Sequence, residues 1–231
     1  MLSQVSSELT VNVDMVKTRI MMTLFLIAVS SVFALSAQAA QDDNPGAVQF
    51  TIHGRTVHGL LWGKGSYGVI LSHGAIYDAA SWTPLATDIA KSGIVALALE
   101  EVEPDDILAA HSFLRERYGL KATGLIGASA GGSTALSAMA RSPQQWDQLI
   151  LLSGAGDVSG SGTAPKLFVA SEGEGMAEAA RKMAKDSPGT QNDVLIVRGS
   201  AHAQAIFRTS EGPPLTRAIL ERLINRAKKV K

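Results

Sequence analysis

Ser129 stands in Gly127-Ala128-Ser129-Ala130-Gly131, flanked at two residues on either side by glycine and otherwise only by alanine. Such a pentapeptide gains meaning when a strand leads into it and a helix leaves it. The serine then sits on a tight turn above a sheet, where any bulky neighbour would collide. Thr123 to Ile126 is an aliphatic strand-like run, and Ala130 to Arg141 reads as a helix of good formers. A hydroxyl held there can attack a carbonyl carbon, and the free N–H groups and positive dipole end of the helix face the oxyanion that forms. The simpler role for the same serine is a helix N-cap. What separates the two is a base within reach.

Histidine is the usual base for a serine hydroxyl, which is a poor nucleophile near neutral pH. Of five histidines, His53 and His58 fall in a first hairpin, His73 ends the first buried strand, and His111 sits mid-helix beside Ala109, Ala110 and Phe113. His202, in Gly199-Ser200-Ala201-His202 just after the last strand, is the well-placed one. A carboxylate must then fix the imidazole tautomer and stabilise the imidazolium. Glu172 and Glu174 both follow the run Leu167 to Ala170, and Asp157 lies one strand earlier. Glu174 is favoured because it lies further beyond the strand end, on a glycine-flanked loop able to curl toward the histidine. The oxyanion needs a second backbone donor from the loop after the first buried strand. There His73 hydrogen-bonds locally, Gly74 permits the turn, and the N–H of Ala75 joins that of Ala130. Tyr77, Trp82 and the glycine-rich stretch 153–162 are the candidates for lining a substrate pocket.

These residues need a sheet to hold them. Short aliphatic or β-branched runs alternate with segments of helical period, the pattern of a mostly parallel sheet with helices on both faces, hence an α/β chain. Val48 to Ile52 and Thr56 to Trp62 read as an N-terminal hairpin. Further strands are expected at Gly68 to Ser72, Ile94 to Leu99, Thr123 to Ile126, Leu149 to Leu152, Leu167 to Ala170 and Val194 to Val197. Helices are expected over Ser81 to Lys91, Pro104 to Tyr118, Ala130 to Arg141, Met176 to Asp186 and Pro214 to Lys228. Between Leu152 and Leu167 there is no room for a helical lid, so the site should be open.

The first 39 residues read as a secretory leader. Lys17 and Arg19 precede an apolar run from Ile20 to Leu35, and Ala37-Gln38-Ala39 has the small-x-small form of a cleavage site. The run falls short of the roughly 20 residues of a spanning helix. Met15 is the candidate for the true start, since Glu8 and Asp14 have no place in a leader. Residues 40–231 are enough for one domain with a sizeable core. The chain is expected to be exported, to the periplasm or beyond, without stable membrane insertion. It has no cysteine, so neither disulfides nor a thiol nucleophile enter the argument. Formal charge balances to zero, and Arg222, Arg226, Lys228, Lys229 and Lys231 gather where they suit the end of a last helix; no nucleic-acid partner is implied. No glycine-rich phosphate loop and no metal-ligand spacing is present, and the chemistry calls for no cofactor.

Taken together, Ile70-Leu71-Ser72-His73-Gly74 with Ser81-Trp82, the elbow at Ser129, Leu167 to Ala170, and Gly199-Ser200-Ala201-His202 resemble the α/β-hydrolase superfamily. The resemblance spans most of the mature chain and is greatest to small, lidless bacterial esterases and dienelactone-hydrolase-like proteins. It implies a serine hydrolase of small ester or acyl substrates, with Ser129, Glu174 and His202 as catalytic residues. In that family the acid usually comes three residues after a small residue closing the strand, a spacing that Ser171 to Glu174 fits. Two departures stand: the acid is Glu where Asp is commoner, and the nucleophile is Ser where dienelactone hydrolases proper use Cys. Thioester or peptide cleavage, acyl transfer, and a non-catalytic binding role on the same fold stay open at this level.

Overall fold

The structure is a computed structural model and describes residues 44–230. The leader, its cleavage point and Met15 lie outside the described residues. Strands β3 (Tyr67–Ser72), β4 (Val95–Leu99), β5 (Ala122–Ala128), β6 (Gln148–Leu152) and β7 (Lys166–Ser171) are almost wholly buried, as aliphatic runs without polar alternation require. β1 (Gly46–Ile52) and β2 (Arg55–Trp62) form the expected hairpin, turned by His53 and Gly54, both at positive φ. With β8 (Asn192–Val197) they complete one sheet in the order β1-β2-β4-β3-β5-β6-β7-β8, antiparallel over β1-β2-β4 and parallel elsewhere.

The period-2 geometry of the strands divides their side chains between two cores. Val69, Leu71, Ile150, Leu152 and Val169 point to one face, where helices α1 (Thr83–Lys91) and α5 (Gly212–Ala227) contribute Leu85, Ile89, Leu215, Ile219 and Leu223. Ile70, Leu97, Leu149, Leu151 and Phe168 point to the other. There α2 (Pro104–Tyr118), α3 (Ala130–Arg141) and α4 (Ala177–Asp186) bring Ile107, Leu114, Leu136, Met139 and Met183. α2 has the start and stop its sequence announces: Pro104 in its first turn, a capping box between Glu103 and Asp106, and Gly119 in the left-handed conformation at its end.

Three departures from the sequence reading touch the site. The segment expected as one helix from Ser81 is a 3-10 turn, Ala79–Trp82, followed by α1, because the Asp78 side chain caps the Ser81 N–H at 2.8 Å. β5 runs on to Ala128, as Ser129 N still donates to Leu152 O at 2.9 Å. Another 3-10 segment, Ala203–Arg208, follows His202 directly.

His111 faces the core from α2, 4 % exposed and edge-on to Trp146, and its Nε2 has no hydrogen-bond partner among the described residues. Burial, with the Arg115 charge as a second cause, lowers its pKa from the ordinary 6.5. The unfolded chain therefore binds a proton that the folded chain refuses. This contribution to stability is whole above about pH 6.5 and is lost as the pH falls toward the lowered folded value. Urea midpoints at about pH 5 and 7.5 should differ less in His111→Leu than in the wild type; equal pH slopes would contradict this account.

Candidate active site

β3 lies between β4 and β5, so the chain leaves β3 to one side and returns to the other. Loops at the carboxyl ends of such strands diverge and open a crevice at the switch point. Gly74 and Ala75 follow β3, and Ser129 follows β5.

Ser129 has φ 51° and ψ −117°, outside the helical and extended regions. The turn is held tight by its glycines. A Cβ on Gly131 would stand 2.3 Å from His73 O and 2.5 Å from Ser72 O, and one on Gly127 would stand 2.7 Å from Gly131 O. These are backbone atoms and cannot swing away. Gly131→Ala is expected to lower unfolding free energy by about 3 kcal/mol, measured by urea titration; a loss under about 1 kcal/mol would show that the elbow has slack.

Ser129 Oγ lies 2.8 Å from His202 Nε2, and His202 Nδ1 lies 2.5 Å from Glu174 Oε2. The structure thus joins Ser129, His202 and Glu174 in one row. Glu174 is held from its other oxygen: Oε1 accepts from Ser171 N at 2.5 Å and from Ser153 Oγ at 2.7 Å, and its side chain is 2 % exposed. Glu172 instead carries the strand ladder onward through its N–H to Val197 O, with its side chain in solvent. Asp157 is exposed and accepts from Ser159 N and Oγ, both at 2.9 Å, which lowers its pKa.

Ser153, which the sequence marks only as the first residue of the glycine-rich stretch 153–162, has a role that stretch did not announce. Its hydroxyl donates to Glu174 and accepts from Ala203 N at 2.9 Å, tying that carboxylate to the residue after His202. Ser171 Oγ donates to Ala201 O on the other side of that histidine at 2.6 Å. Among the described residues four non-glycines have positive φ, and Ser129, Ser153 and Ala203 are three of them. Strain of this kind persists where surrounding bonds over-determine the backbone, and here they converge on one row of side chains.

In the β3 loop, Tyr77 N donates to Gly74 O at 2.9 Å, and His73 presents Nδ1 to the same carbonyl at 2.9 Å and Nε2 to Glu100 O at 3.1 Å. A trans peptide sets N–H opposite C=O, so fixing the Gly74 carbonyl turns the Ala75 N–H to the other side. Neither Ala75 N nor Ala130 N has an acceptor among the described residues. A Cβ on Gly74 would stand 3.4 Å from Ser129 Cβ, so this loop runs directly beside the serine.

Tyr77 and Trp82 both line a cavity of about 790 Å³, with Gln204, Phe207, Arg208 and Leu220. Trp82 does so from the core, at 1 % exposure and edge-on to Phe207. The 153–162 stretch does not line it: Gly156, Gly160 and Gly162 pack toward Leu136, Ala140 and Pro143, laying the loop along α3. It carries no helix, as its composition implied.

No protein-family model matches the sequence, and no curated protein matches it either. The fold has many solved counterparts. A cold-adapted esterase from an Arctic intertidal metagenomic library is 18 % identical with a TM-score of 0.63, over 77 % of this chain and 93 % of that one. Dienelactone hydrolase from Anabaena variabilis is 18 % identical with a TM-score of 0.63, over 80 % and 97 %. Est1E from Butyrivibrio proteoclasticus is 15 % identical with a TM-score of 0.65, over 78 % and 98 %. At such identities the likeness speaks for architecture, and by its strand order, its helices on both faces and these counterparts the chain has the α/β-hydrolase fold.

Proposed function

We propose that the protein is a serine hydrolase that cleaves a carboxylic ester or a related acyl bond through an acyl-enzyme on Ser129. The observation that carries this reading is the unbroken row from Ser129 Oγ through His202 to Glu174. Ser129 Oγ attacks the carbonyl carbon as His202 Nε2 takes its proton, and Glu174 holds the proton of Nδ1 and stabilises the imidazolium. The N–H groups of Ala75 and Ala130 receive the oxyanion, a donor of this kind contributing about 3 kcal/mol to the transition state. As the tetrahedral intermediate collapses, His202 returns the proton to the leaving alcohol. Water then attacks the acyl carbon with His202 again as base. The His202 side chain is 49 % exposed, so that water has access.

The neighbours whose names include esterase and dienelactone hydrolase support ester-like substrates, and the helix-free stretch after β6 favours small soluble ones over long lipids. The leader-like start supports work outside the cytoplasm. A fluorophosphonate probe is expected to label the folded wild type, and p-nitrophenyl esters of rising chain length are expected to turn over fastest at the short end. A folded chain that neither labels nor hydrolyses any of them would remove this reading.

A further inference from the structure

Gln204 lies two residues beyond His202 and is only 5 % exposed. Its Oε1 accepts from Gly74 N at 2.8 Å, and its Nε2 donates to Ser81 Oγ at 2.7 Å. Ser81 Oγ in turn donates to Asp78 O at 2.5 Å. The side chain therefore spans from the histidine loop to both halves of the loop after β3, across 130 residues of sequence.

We infer that Gln204 is a positioning residue that selects and orients the oxyanion donor. This rests on the acyl-transfer reading of Ser129. The loop offers three successive N–H groups, of Gly74, Ala75 and Ile76, and its Gly74 end runs beside Ser129. Gln204 takes the first of them, while Tyr77 N takes the Gly74 carbonyl. Gln204 thus fixes the His73–Gly74 peptide plane through its N–H, and Tyr77 N fixes the next plane, Gly74–Ala75, through its carbonyl; with Gly74 held on both sides, the Ala75 N–H is left as the donor beside Ser129. Because Gln204 is carried by the 3-10 segment that starts after His202, general base and oxyanion donor are set by one short piece of chain. Ser81 holds the amide from behind, so its oxygen stays on Gly74.

The test uses Gln204→Met, which keeps the volume and loses the acceptor, with Ser81→Ala and Ser81→Thr. Active sites are titrated with a fluorophosphonate, kcat and KM are read on a p-nitrophenyl ester, and affinity is read for a trifluoromethyl ketone, whose adduct carries an oxyanion. Losing a donor outright costs about 10²–10³-fold, so loosening one in Gln204→Met should lower kcat per titrated site by ~10- to 50-fold. The ketone's affinity should fall by a similar factor with KM within about twofold. Ser81→Ala should lose several-fold and Ser81→Thr recover it. A merely structural role would lower Tm and leave kcat per site and ketone affinity unmoved, which overturns the inference. If Gln204→Met does not fold, Ser81→Ala at wild-type kcat overturns it equally. Wild-type titration separates the two proposals: its failure removes the nucleophile reading, whereas normal titration with unmoved variants removes this inference alone.

Discussion

Ser129→Ala is expected to lower kcat on a p-nitrophenyl ester by about 10⁶-fold and to abolish fluorophosphonate labelling while the chain stays folded. The loss is that large because nucleophile and base act as a unit: without Oγ, His202 has no proton to take and no covalent intermediate forms. Residual catalysis over water, on the order of 10³-fold, would then come from the oxyanion donors and binding alone. Stability should move little, by about 1 kcal/mol, since the variant loses one half-exposed hydrogen bond to His202 and keeps the Cβ. The backbone strain at φ 51°, ψ −117° is a property of the elbow and stays with alanine. Ser129→Gly should therefore melt higher than Ser129→Ala, by the equivalent of about 1 kcal/mol. Labelling that survives in Ser129→Ala would place the nucleophile elsewhere. A glycine variant that melts no higher would show that the turn is unstrained.

The parts of the site that were readable from sequence are those whose signals are local. Strand-into-helix context marks Ser129, a loop after the last strand marks His202, and α2 and α3 keep the bounds expected of them because Pro104, Gly119 and the elbow punctuate the chain. Position in the sequence favours Glu174 over Glu172 and leaves both open, and the structure adds a physical difference: Glu172 is still in the ladder with β8, and the chain must pass Gly173 before a carboxylate can turn back toward His202. Ser153 and Gln204 were not readable, because each acts on partners 21 to 130 residues away and carries no local mark. A serine before glycine looks like any turn. A glutamine between Ala203 and Ala205 looks like surface, yet its burial follows from the 3-10 segment, which turns it against the β3 loop. Trp82, which the sequence places both in the helix expected over Ser81 to Lys91 and among the pocket-lining candidates, is a core residue that also walls a cavity.

Glu174→Gln is expected to lower kcat by about 10⁴-fold with KM nearly unchanged, whereas Glu172→Gln should stay within about twofold. The size of the first effect follows from which donors surround the carboxylate. Oε1 already receives two, Ser171 N and Ser153 Oγ, and Ser171 N, a backbone N–H, can only donate. In the glutamine variant the amide oxygen must therefore take the Oε1 position, which leaves the NH₂ group facing His202 Nδ1. An amide N–H there demands that Nδ1 accept, and the imidazole proton moves to Nε2, the nitrogen that faces Ser129 Oγ. A histidine in that tautomer cannot take the serine proton. The defect lies in the proton's location and not in the fold, so fluorophosphonate labelling should slow by a factor close to that in kcat while Tm changes little. Equal losses in the two glutamine variants, or a loss only in Glu172→Gln, would reject Glu174 as the acid. A loss of a few-fold in Glu174→Gln would show that the amide can turn over, and hence that Ser153 and Ser171 do not hold Oε1 as firmly as their distances imply.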